Sequence, residues 1–66
     1  MVVSAYLKEL REARKEKPDQ IRDALEIYIQ LWETLIRKGL VRPDDGIDEA
    51  LRKIDARGGL QKAAQD

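Results

Sequence analysis

Cysteine, histidine, phenylalanine and asparagine are all missing from this chain of 66 residues, and Met and Trp occur once each. Without Cys or His there is neither a disulfide framework nor the usual zinc-ligand spacing. The same absence removes the common bases and nucleophiles of hydrolytic catalysis, leaving Ser4, Thr34, Tyr6 and Tyr28 as the only hydroxyl side chains. Charge of one sign is lacking too: 13 basic residues balance 13 acidic ones. A neutral chain exerts no bulk attraction on nucleic acid or an anionic membrane, so any such binding needs a local patch. No apolar run approaches the ~20 residues of a membrane span, and Met1-Val2-Val3-Ser4 lacks the basic and apolar regions of a secretory signal. A cytoplasmic location is the expectation.

What is present is charge in alternation. Charged residues make up 39% of the chain, a profile that suits a heat-adapted protein. At this length a domain buries only roughly 60% of its unfolded surface. A single, thin-cored domain over residues 1–66 is expected, and its stability must come from regular helix packing or from association.

Pro18, Gly39, Pro43, Gly46 and the Gly58-Gly59 pair divide the chain into three segments of helical periodicity. The first runs over about 4–16, with Ser4 as N-cap and an apolar face of Val3, Tyr6, Leu7, Leu10 and Ala13. The second spans 19–38: Asp19, Asp23 and Glu26 crowd its start, and Arg37 and Lys38 its end, as the macrodipole favours. The third covers 46–57, opened by Asp45 as N-cap with Asp48 in an acidic variant of the capping box. Acid-before-base pairs, Asp48 with Arg52 and Glu49 with Lys53, support it, and its apolar face is Ile47, Ala50, Leu51 and Ile54. The tail 60–66 is expected to fray. The fold class is therefore all-α: a small three-helix antiparallel bundle, or a helical hairpin plus a short third helix, completed by dimerisation.

The second helix motivates the dimer. On a helical wheel its apolar residues, from Ile27 through Leu31, Ala24, Leu35, Tyr28, Ile21, Trp32, Leu25 and Ile36 to Ile29, fill an arc of roughly 200°, about twice what one neighbour covers. The short third helix covers one edge at most, which leaves Ile29 and Ile36 wet in a monomer. Covering two Ile side chains is worth roughly 3–5 kcal/mol, a large share of a small domain's stability. Self-association, or the docking of a different helical protein, through a face of Leu25, Tyr28, Ile29, Trp32 and Ile36 is the expectation, with Trp32 as the anchor; the alternative is a monomeric three-helix bundle in which the first and third helices both pack on the second.

The sequence singles out no catalytic, cofactor-binding or metal-binding residue. Asp44, Asp45, Asp48 and Glu49 form the densest acidic cluster, but helix capping accounts for them, and they lack the alternate acids and distal Glu of a calcium loop. The reading is a non-enzymatic helical interaction or assembly module, an accessory subunit of a larger complex. The alternative is a small dimeric DNA-binding regulator, antitoxin-like, using Lys8, Arg11, Arg14 and Lys15 on one flank of the first helix. Against it, the connection from Gly39 to Asp45 exceeds the usual 3 to 4 residue turn of a helix-turn-helix, and two acids open the third helix.

Overall fold

The computed structural model describes residues 1–65. Four helices follow one another: α1 (Val3–Arg14), α2 (Asp19–Lys38), α3 (Ile47–Ala56) and α4 (Leu60–Gln65). Among the described residues there is no strand, only an isolated bridge between Val2 and Gly46. The chain is all-α, as its periodicity implies.

The longest helix stops where its sequence says it should. Gly39 adopts φ 81°, its N–H donates to the Ile36 carbonyl, and the Leu40 N–H donates to the Leu35 carbonyl at 3.0 Å. This pair of bonds satisfies the last carbonyls and turns the chain, and the left-handed φ admits Gly without strain. The same device closes α3: the Gly58 N–H donates to Asp55 and the Gly59 N–H to Ile54, with Gly58 at φ 93°. A Cβ on Gly58 would lie 2.8 Å from the Lys62 Cδ, so glycine also makes room for the start of α4.

The start of α1 departs from expectation. Ser4 lies inside the helix; Val2 precedes it in extended conformation, and no side chain caps it. The free N–H groups of the first turn find carbonyls elsewhere, Val3 donating to Asp45 and Ser4 to Pro43, both at 2.9 Å. The Ile47 N–H donates in return to the Met1 carbonyl. The α2–α3 loop thus does for α1 what a serine hydroxyl does in an ordinary N-cap.

Asp45 likewise is not the residue that caps α3, a position Gly46 occupies without a side-chain bond. The Asp45 carboxylate instead accepts the Arg42 N–H at 3.1 Å and the Lys53 ammonium at 3.0 Å, closing the loop on itself. Lys53 therefore pairs with Asp45 rather than with Glu49.

The core is built from Val3 and Leu7 of α1, Ile29, Trp32 and Leu35 of α2, Val41 of the loop, Ala50 and Ile54 of α3, and Ala63 of α4. The tail expected to fray is ordered through Gln65: α4 packs against both α2 and α3, with Ala63 buried and Lys38 donating to the Ala64 carbonyl at 2.5 Å. Asp66, the last residue of that expectation, lies outside the described residues. Among the described residues the backbone of α3 approaches those of α1 and α4 but not that of α2, although Ile54 and Leu35 line a common dimple. The second neighbour of the long helix is therefore α4. Leu60, Ala63 and Ala64, spaced three and four apart, form one apolar side, which is why six residues suffice to hold it.

Candidate interaction site on α2

The antiparallel seam between α1 and α2 decides which part of the wide apolar arc is covered. Glu26, Ile29 and Glu33 are three and four residues apart and share a line on α2. Arg14 reaches Glu26 at 3.1 Å and Arg11 reaches Glu33 at 2.6 Å, so α1 lies along the edge that carries Ile29. Tyr6 extends across the seam, its ring edge-on to Trp32 at 5.8 Å and to Tyr28 at 6.5 Å; Tyr28 and Trp32 complete the trio at 6.4 Å. Such edge-to-face contacts contribute about 0.5–1.5 kcal/mol each beyond area burial.

The Tyr6 and Tyr28 hydroxyls share a hydrogen bond at 3.0 Å. Desolvation by burial, then the bond to Tyr28, pushes the Tyr6 phenol up to about 12. The Trp32 indole Nε1–H is buried with no acceptor among the described residues.

The face expected to mediate self-association is consequently divided. Ile29 and Trp32 are enclosed by their own chain, at 3% and 0% exposure, and neither is available to a partner in this fold. Leu25, Tyr28 and Ile36 are half-buried. The reason is that α1, narrow as its apolar stripe is, carries the large Tyr6 and Leu7 and covers the edge of α2 that the wheel alone leaves wet.

The opposite edge is the one left open. Ile27 is 59% exposed, Ile21 50%, and Ala24 between them is exposed as well. Tyr28 and Leu31 flank this strip, half-buried, and α4 shields α2 only farther along, around Leu35 and Lys38. On its outer margin lie Gln20, Gln30 and Thr34, all uncharged, with Asp23 the one acid alongside. A neutral, apolar strip on a chain this rich in charge has the composition of an interface centre, where charged residues are depleted.

The basic flank of α1 is largely committed. Arg11 and Arg14 face the α2 carboxylates, Lys15 lies 4.0 Å from Glu12, and only Lys8 of the four has no carboxylate within reach among the described residues. These pairs are exposed and contribute little stability, but they place acid beside Arg11, Arg14 and Lys15 and leave Lys8 alone.

Elsewhere the chemistry is sparse. Among the described residues no three Asp or Glu side chains are grouped to hold a metal ion. Asp45 stands apart from Asp44, Asp48 and Glu49 through its own bonds: the Arg42 N–H and then the Lys53 ammonium hold its carboxyl below the usual range. A dimple between Leu35, Val41, Ile54 and Ala63 measures about 10 Å³, room for roughly one water. No helix among the described residues is long and apolar enough to cross a membrane. Compared with protein families, with curated proteins and with solved structures, the chain has no match.

Proposed function

We propose that the chain is a non-enzymatic helical interaction module that self-associates through α2 and serves as an assembly or accessory subunit of a larger complex. One observation carries the reading: the N-terminal half of α2 presents Ile21, Ala24 and Ile27 to solvent as an apolar strip bordered by Gln20, Gln30 and Thr34, with Asp23 the one charge beside it. Isolated exposed apolar residues need no explanation, but Ile21, Ala24 and Ile27, three residues apart in succession, form an oblique ridge that a crossing helix can meet. The strip differs from the face expected from sequence and lies on the same helix.

Light scattering coupled to size exclusion tests this. Mass should rise above the monomer value as concentration approaches about 1 mM, the dissociation constant that corresponds to about 4 kcal/mol of association. Ile27→Glu should hold the chain monomeric without unfolding it, because the side chain is already in water. A monomer mass at every concentration sinks the reading. Nucleic-acid binding has less support, since Arg11 and Arg14 are engaged by Glu33 and Glu26.

A further inference from the structure

Helix α4 is held in place by very little. A helix of six residues has no stability of its own and is helical only while docked. Its one buried side chain is a methyl group, that of Ala63, with Leu60 and Ala64 half-buried beside it. Among the described residues no ion pair ties it down, and its one side-chain bond is the exposed one from the Lys38 ammonium to the Ala64 carbonyl. The seat is also incompletely filled: the dimple of about 10 Å³ lies where Ala63 faces Leu35, Val41 and Ile54, so both sides give up part of their dispersion contact. The α1–α2 seam is of another kind. Val3, Leu7, Ile29 and Trp32 are all buried there, and three aromatic rings meet edge to face.

The connection to α3 favours movement. Gly58 and Gly59 stand at φ 93° and 111°, in the region that glycine alone enters without strain. Two glycines in succession permit the closed turn, and they regain more backbone freedom than any other pair when it opens. With a small gain from docking set against that entropy, α4 belongs at the low end of local stability. Helix α3 keeps its place without it, because α3 also packs on α1 and its Ile47 N–H is bonded to the Met1 carbonyl.

We infer that α4 is a releasable strap, which swings on Gly58-Gly59 while α1, α2 and α3 stay folded and uncovers a groove floored by Leu35, Val41 and Ile54 with Lys53 and Arg57 on its rim. The occupant of the groove is α4 itself. Closed, the strap hides the apolar floor; open, it presents that floor without unfolding the seam. The exposed strip of α2 is bare in both forms, so the strap stands or falls independently of self-association.

Native-state hydrogen exchange in rising urea, read residue by residue by NMR and corrected for intrinsic rates, tests this on the full chain. The Ala63 amide, which donates to the Gly59 carbonyl at 2.9 Å, reports α4, and the interior amides of α2 report the whole fold. Ala63 is expected to be protected, yet to exchange at least about tenfold faster than the α2 interior and with a weaker urea dependence, since its opening exposes less surface. Ile29→Val, which loosens the α1–α2 seam, should speed the α2 amides about fivefold and leave Ala63 unchanged. Gly59→Ala, whose Cβ meets nothing within 4 Å but whose φ is strained, should speed Ala63 at least about threefold. Equal rates and equal urea dependence for Ala63 and α2 mean that α4 leaves only when everything unfolds, and overturn the inference. So does a response of Ala63 to Ile29→Val, which would put the seam inside the opening. An Ala63 amide with no protection means that the strap never closes, and indifference to Gly59→Ala means that the glycine turn is not its hinge.

Discussion

Trp32 is the largest side chain with no exposed surface, and the only described one that buries a polar atom without a partner. Replacing it by Phe therefore sets two effects of similar size against each other. Phe withdraws roughly 40 Å² of apolar surface, worth about 1 kcal/mol at ~25 cal/mol per Å². The void it leaves, about 40 Å³, costs about another 1 kcal/mol at ~24 cal/mol per Å³. Against this stands the release of a buried, unbonded N–H, whose desolvation costs about 1–3 kcal/mol. Trp32→Phe is expected to fall within about 1 kcal/mol of the parent, whereas Trp32→Ala, which loses the ring and its contacts with Tyr6 and Tyr28, costs about 3–5 kcal/mol. Urea unfolding followed by far-ultraviolet circular dichroism reads both without relying on the indole, at one low protein concentration so that association does not contribute. A loss above about 3 kcal/mol for Trp32→Phe would refute the reasoning, because the N–H must then be making an interaction worth keeping.

Tyr6, with its phenol at about 12 against an ordinary 10.0, holds its proton more tightly folded than unfolded. Its contribution is whole below pH 10 and is lost as pH rises toward 12; ultraviolet titration should show a phenolate component near 12 that Tyr6→Phe removes. Asp45 has the opposite sign: its carboxyl is held below 3.8, so its contribution is present above about pH 4 and fades as pH falls further. Asp45→Asn should flatten the acid limb of stability against pH, and an unchanged limb means the Arg42 and Lys53 bonds do not hold in solution. Ala63→Asp places a carboxylate against Leu35 and Ile54 and should lower stability by about 3 kcal/mol in thermal unfolding, while a change under 0.5 kcal/mol would mean α4 is not docked. Duplex DNA should bind no tighter than about 0.1 mM near physiological salt; micromolar affinity that falls steeply with added salt would restore the nucleic-acid reading.

The local signals were legible and the neighbour relations were not. Gly39 and Pro18 bracket α2 at its observed ends because a left-handed residue and a missing N–H act on the nearest turn alone. The wheel of α2 measured the width of its apolar arc correctly yet gave the wrong wet edge, since periodicity carries no information about which neighbour lies where. Arg11 and Arg14 supplied the missing clue: long bases on α1 opposite Glu33 and Glu26 fix α1 on the Ile29 side. Composition points to Ser4 and Asp45 as caps, yet the first amides of α1 end on carbonyls some forty residues away, while Gly46 takes the cap position of α3 and the Asp45 carboxylate turns to Arg42 and Lys53. For α4, the spacing of Leu60, Ala63 and Ala64 was visible, but six residues form a helix only when a surface waits for them, and that surface exists only in the fold.

The first residues of the chain and its central loop are stitched together: the Val3 and Ser4 amides end on carbonyls of Asp45 and Pro43, and the Ile47 amide ends on Met1. The loop is thus a structural part of a helix that lies some forty positions upstream. A change at Pro43 or Asp45 is felt first at the opening turn of α1, and through Tyr6 at the aromatic trio. Because the tie runs through main-chain groups alone, it tolerates most side-chain changes and is broken by one that removes an amide, such as proline at Ser4.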